Sequence, residues 1–180
     1  MIFFTSDLHI SHTNIIKFCN RPFNDVQSMN KHIVNSWNNV VTNEDEIYML
    51  GDFSYKASRK TAKYFLRQLN GKKYFIKGNH DWVENLDNYK NSGLIEWWKY
   101  SHEFTYEHNG KTYNFSLSHY PHYPAKGTGL VCLFGHQHGI YEHHGVSFHY
   151  PGGLDVGVDN IGYEPISIVR VIEFMERNKI

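Results

Sequence analysis

The chain opens on a short apolar run, "IFFTS", that stops at Asp7, and runs of the same kind recur in "EIYMLGD" and "KKYFIKGNHD". Each is rich in β-branched or aromatic residues and closes on glycine or polar residues, the pattern of a buried strand. After the first run, Ile15, Phe18 and Cys19 of "TNIIKFCN" share one helical face. Val26, Met29, Ile33, Trp37 and Val40 then recur at helical spacing behind Asn24 and Asp25, which can cap that longer helix. After the second run, Ser58 caps "SRKTAKYFLRQL", where Ala62, Phe65 and Leu69 form the buried stripe and Gly71 marks the end. Strand, helix, strand, helix, strand in this order predicts parallel βαβ units.

The second half has a different pattern. "FTYEHNGKTYNFSLSH" alternates on both sides of Asn109-Gly110, a two-residue hairpin turn, with Tyr113, Phe115 and Leu117 on one face and His119 in the same phase. "LVCLFG" and "VSFHY" read as further strands, and Pro165 as the first turn of a closing helix whose Val169, Ile172 and Met175 face inward. Trp97 and Trp98 are adjacent, so at most one is expected to face the core. His102 and His108 read as strand surface, and His143 with His144 as a hairpin turn. A parallel first half and an antiparallel second half predict an α/β fold of two sheets packed together with helices outside. No repeat or low-complexity linker interrupts residues 1–180, which are expected to form one domain without a cap or accessory domain.

Composition narrows the function classes. Eighteen basic and eighteen acidic side chains give a formal charge of zero, which disfavours a long nucleic acid as partner, since phosphate neutralisation drives that binding. An acid by position 7 leaves no room for a signal peptide, and no apolar stretch reaches membrane-spanning length. Cys19 and Cys132 have no CxxC spacing, so a zinc–thiolate site is not expected and a reduced thiol pair is. A cytoplasmic protein without a membrane partner follows as the expectation. The 13 histidines, many for this length, direct the search to metal or proton-transfer chemistry.

That chemistry collects at strand ends. The first strand ends on Asp7 and His9, the second on Asp52, and the third on Asn79, His80 and Asp81; His119 closes a fourth and "LFGHQHG" places His136 and His138 after a fifth. Taken singly, an acid after a strand is a turn former or cap, and two histidines one residue apart are a metal clip or an ordinary turn. Parallel strands, however, put their carboxyl ends along one edge, so residues about forty positions apart can meet there. Imidazole, carboxylate and amide donors without thiolate suit Mn, Fe, Zn or Ni.

Asp7-x-His9, Gly51-Asp52, Gly78-Asn79-His80-Asp81, Ser118-His119 and Gly135-His136-x-His138 occur in an order that resembles the calcineurin-like metallophosphoesterase family, and "SHTNIIKFCNRPF" resembles its small bacterial and phage members. The resemblance implies a four-layer α-β-β-α sandwich with two mixed sheets. It also implies two divalent metal ions, one held by Asp7, His9, His138 and a shared Asp52, the other by Asp52, Asn79, His119 and His136. His80 would assist the leaving oxygen, with Asp81 orienting it. One departure stands out: many members carry an acid or amide shortly after the bridging aspartate, where this chain has "GDFSYK".

Arg21 reads either as a bidentate clamp on a substrate phosphate or as a solvated arginine, and His12 and Asn14 as pocket lining. The loop "YPHYPAKGTG" can form a rim that grips the leaving group. The expected activity is metal-dependent hydrolysis of a small phosphate ester, nucleotides included, with phosphodiesters favoured. Two alternatives stay open: a nuclease of the same family, and a metal-binding scaffold whose catalysis has lapsed.

Overall fold

In the computed structural model of the chain, which describes residues 1–122, 128–139, 149–150 and 152–178, the three early apolar runs become β1 (Ile2–Thr5), β2 (Glu46–Met49) and β3 (Lys72–Ile76). They pair in parallel, Phe3 opposite Ile47 and Tyr48 opposite Tyr74. Between them run α1 (Ile15–Phe18), α2 (Val26–Val40) and α3 (Arg59–Leu66). The Asp25 carboxylate accepts the Ser28 N–H at 2.7 Å and so caps α2, as its sequence suggests. Two elements in this part of the chain went unread in the sequence: α4 (Val83–Asn91) and the edge strand β4 (Trp97–Lys99), which pairs parallel with β3.

The second sheet holds β5 (Ser101–His108), β6 (Lys111–Ser118), β7 (Leu130–Phe134), β8 (His149–Tyr150) and β9 (Gly153–Asp155), in the order β5-β6-β7-β9-β8. The predicted hairpin joins β5 to β6, but β6, β7 and β9 run parallel, so this half is mixed and not antiparallel throughout. The chain from Ser118 to Leu130 is long enough for a crossover, where a tight hairpin would have forced reversal. After α5 (Val158–Ile161) comes β10 (Ile166–Ser167), which pairs antiparallel with β1, making the first sheet mixed too. Pro165 therefore precedes a strand, and α6 (Ile168–Asn178) begins three residues later, its β-branched start having been drawn to the edge of β1.

Alternation along β1 divides the core in two. Phe3 joins Met29, Ile33, Trp37, Ile47 and Phe75 under the helices, while Phe4 joins Phe115, Leu117 and Leu133 of the second sheet and Ile172 of α6. Trp97 and Trp98 follow the same rule: both are half-buried, one against each cluster, because this sheet has a core on both faces. Four smaller expectations also change. Phe18 is 73% exposed because α1 lasts one turn, and α3 buries Leu66 more fully than Phe65. Gly71, at φ +86°, stands just before β3 rather than at the end of α3. His102 is half-buried and stacks on Phe104 and Tyr48.

The His143–His144 turn, the start of "VSFHY" and residues 123–127 of the proposed rim lie outside the described residues. Among those described, no helix is long and apolar enough to cross a membrane.

Phe115 is fully buried with its ring centroid 5.3 Å from Phe104 and 6.5 Å from Phe4, so it ties the sheets together. Phe115→Ala is expected to cost about 3–5 kcal/mol of unfolding free energy in urea titration. A loss under about 1 kcal/mol would mean that the inter-sheet core does not depend on this ring.

Candidate metal centre

Strand ends from both sheets meet at one edge and are tied there by backbone. Past β1, Asp7 N–H donates to Gly51 O at 3.0 Å and His9 N–H to Asp52 O at 3.0 Å. Past β6, Gly135 N–H donates to His119 O at 3.1 Å. The sheets are cross-linked by the Ser6–Gly157 bridge and by His119 Nδ1, 2.9 Å from Leu50 O.

These turns share an unusual backbone. Asp7, His9, Asp52, His136 and His138 all have φ between +50° and +71°, a region that non-glycine residues rarely occupy. Such strain persists only where the surroundings over-determine it, and it concentrates at functional sites. His136 and His138 thus lie in a turn, not on an extended segment. Even so, their rings diverge: His136 Nδ1 is 3.0 Å from Asn79 Oδ1, and His138 Nε2 is 3.7 Å from Asp7 Oδ1.

Asp52 occupies the middle. Its Oδ1 accepts the His80 N–H at 2.8 Å, and its Oδ2 faces His119 Nε2 at 3.5 Å, His9 Nε2 at 3.7 Å and His80 Nε2 at 3.9 Å. Asp7, His9, Asp52 and His119 are buried, while Asn79, His80 and His136 form a more open side. Two glycines allow the close packing. A Cβ on Gly78 would collide with the Asp52 carboxylate, and one on Gly135 with Ser6 Oγ and Asp7 Oδ2.

The donor set fits divalent cations. Asp7 Oδ1 and His9 Nε2 are buried without a hydrogen-bond partner, which in water-free surroundings is costly unless something else completes them. Asp7, His9 and His138 form one group able to hold an ion, and Asp7, Asp52 and His119 another. The separations of 3.5–3.9 Å between these donors are too long for hydrogen bonds. They are close to the roughly 3.4 Å between two donors on a tetrahedral ion with bonds near 2.1 Å.

Electrostatics points the same way. Burial, reinforced by Asp52, pushes the Asp7 carboxyl up to about 7. Burial and the neighbouring imidazoles push His9 far down, and burial followed by His80 lowers His12 to about 4. His138 is the exception: burial lowers it, but its hydrogen bond to Asp159 and the nearby Asp7 hold it up at about 10. Bare carboxylates and, at His9 and His12, imidazolium are disfavoured, a combination that favours a multivalent cation taking neutral imidazoles as ligands.

Other residues fall differently from expectation. The Asp81 carboxylate accepts N–H groups from Asp52 at 2.8 Å, Gly78 at 2.9 Å and Phe53 at 3.2 Å. It therefore braces the Asp52 turn and does not orient His80 as expected. Arg21 is neither a phosphate clamp nor solvated, since its side chain is fully buried and paired with Asp159. His12 sits beside the centre, Nδ1 3.3 Å from His9 Nδ1, with its ring 4.1 Å from Tyr55. Asn14 is exposed at the start of α1. In the run "GDFSYK", Tyr55 places its ring edge-on to His80 at 4.7 Å.

Two buried acids escaped sequence reading. Asp155 ends β9, and burial followed by Asp7 raises its carboxyl to about 7; Asp159 accepts His138 Nδ1 at 2.7 Å. "GGLDVGVD" carries the same strand-then-acid signal as "YMLGD", but over a strand too short to recognise unaided.

An uncharacterized protein of Methanocaldococcus jannaschii is 34% identical over 99% of this chain and 93% of its own length. The Gene 66 protein of Mycobacterium phage L5 is 28% identical over 75% of this chain and 76% of its own. The fold is similar to a crystal structure of a protein of unknown function from Aquifex aeolicus, at TM-score 0.68 and 23% identity, covering 97% of this chain and 98% of that one. The profile described as calcineurin-like phosphoesterase matches residues 1–164, and the chain belongs to that family of metal-dependent phosphoester hydrolases.

Proposed function

We propose that the protein hydrolyses phosphodiesters at a dinuclear centre. One ion would be held by Asp7, His9, His138 and Asp52, the other by Asp52, Asn79, His119 and His136. The observation that carries this reading is the Asp52 carboxylate, with one oxygen 3.5–3.9 Å from imidazoles on three separate turns, beside the unpartnered Asp7 Oδ1 and His9 Nε2. Mn, Fe, Zn and Ni all suit these donors. A pair of such ions, when bound, supplies hydroxide near neutral pH and neutralises charge on the phosphoryl oxygens.

The chain's own residues do the rest. The buried floor of Asp7, His9 and His119 keeps bulk water from the donors. His80, with 36% of its side chain exposed, stands on the open side, where its imidazole can protonate the ester oxygen as the P–O bond breaks. Asn79, His80 and His136 are the less buried members of the set, and the second ester arm of a diester would lie on their side. Asp81 keeps the Asp52 turn in shape through its three backbone hydrogen bonds.

Three variants and a comparison of substrates test this. Asp52→Asn in metal-reconstituted protein is expected to lower kcat at least about 100-fold and to reduce bound metal; retained turnover would remove the bridging carboxylate from the proposal. His80→Ala should leave metal content intact but cost about 10²–10⁴-fold on an alkyl diester, with a much smaller loss on an aryl diester whose leaving group needs no proton. Equal losses on both would rule out His80 as the acid, and good turnover of aryl monoesters with none of diesters would overturn the diester preference. Gly135→Ala, whose methyl would press on Asp7 and Ser6, should reduce metal bound per chain, measured by elemental analysis.

A further inference from the structure

Behind the centre lies an ion pair that the proposed chemistry does not touch. Arg21 and Asp159 side chains are 0% and 5% exposed. Arg21 Nε and Nη2 donate to Asp159 Oδ1 and Oδ2, each at 2.8 Å, in the forked arrangement that only a guanidinium offers. The same head donates to the carbonyls of Asp7, at 2.8 Å, and Leu8, at 3.0 Å. On its other side, Asp159 Oδ2 lies 2.7 Å from His138 Nδ1, and the opposite ring nitrogen faces Asp7 Oδ1 at 3.7 Å.

One guanidinium thus grips the backbone carrying Asp7 and His9 together with the carboxylate that aims His138. A buried ion pair is a poor device for stability alone, because desolvation offsets its attraction and apolar side chains do as well. A carboxylate on His138 Nδ1 does what an apolar group cannot: it fixes a proton on that nitrogen, so that Nε2 is the one that gives up its proton to a metal and is the better donor for it. The opposite half of the centre is organised by other means. There His119 Nδ1 meets the Leu50 carbonyl at 2.9 Å, and His136 meets the Asn79 amide at 3.0 Å.

We infer that Arg21 and Asp159 are positioning residues for the Asp7–His9–His138 half of the centre and not for the other half. The inference rests on the dinuclear reading above and predicts that the halves can be weakened separately.

The test is a cobalt(II) titration of the metal-free full chain, followed by d–d absorption and by elemental analysis after dialysis. The wild type should take up two equivalents. Asp159→Ala should weaken one of them about 10–100-fold and leave the other unchanged. Asp159→Asn, whose amide oxygen can still accept from His138 but carries no charge, should fall between the two. Arg21→Lys, which keeps the charge and loses the fork, should weaken that same equivalent. If Asp159→Ala shows no cooperative thermal unfolding, the other two variants carry the comparison. Unchanged affinities, or equal weakening of both equivalents, would overturn the inference. A wild-type chain binding fewer than two equivalents would instead overturn the dinuclear reading.

Discussion

Two carboxylates, Asp7 and Asp52, are buried in the same small space, and like charges out of water repel. Burial is the first cause of the raised Asp7 carboxyl and Asp52 adds to it; Asp155 is raised in the same way, with Asp7 as its charged neighbour. His9, packed into the same volume, is held neutral, whereas His138 is held up by Asp159 and Asp7 despite its burial. The arrangement is therefore short of positive charge, and bound divalent cations would supply it. Much of the surrounding structure keeps these repelling groups in place.

Backbone does most of that holding. Asp7, His9, Asp52, His136 and His138 project from turns with left-handed φ, and such turns are tied to one another across both sheets. Gly78 and Gly135 let the neighbouring turns approach closer than any side chain would permit. Backbone N–H groups pin Asp52 indirectly through Asp81, and Arg21 pins Asp7 and His138 from behind. The cost of strain and desolvation falls at the strand ends, while two separate apolar clusters beneath them provide the stability.

Local pattern made much of the fold legible. The β1–β3 units, the Asp25 cap and the Asn109-Gly110 hairpin all follow from residue spacing and turn chemistry, which act over a few residues. What failed was non-local. Pro165 reads as a helix start, yet Ile166 and Ser167 pair with β1, a partner far away in sequence. The parallel course of β7 depends on which sheet edge is free, and the burial of both Trp97 and Trp98 depends on that sheet having two covered faces.

The candidate site divides along the same line. By itself the sequence determined that acids, amides and imidazoles close successive strands, because strands and turns have local signatures and parallel strands share an edge. Only the tertiary structure decided what each group faces. It turned Asp81 onto the Asp52 turn, buried Arg21 against Asp159, and brought Asp159 to His138. These contacts span 29, 138 and 21 positions, and nothing in the local pattern around Arg21 announces the carboxylate it will meet. A charged side chain has no sequence signature for its partner; burial in a particular packed interior selects it.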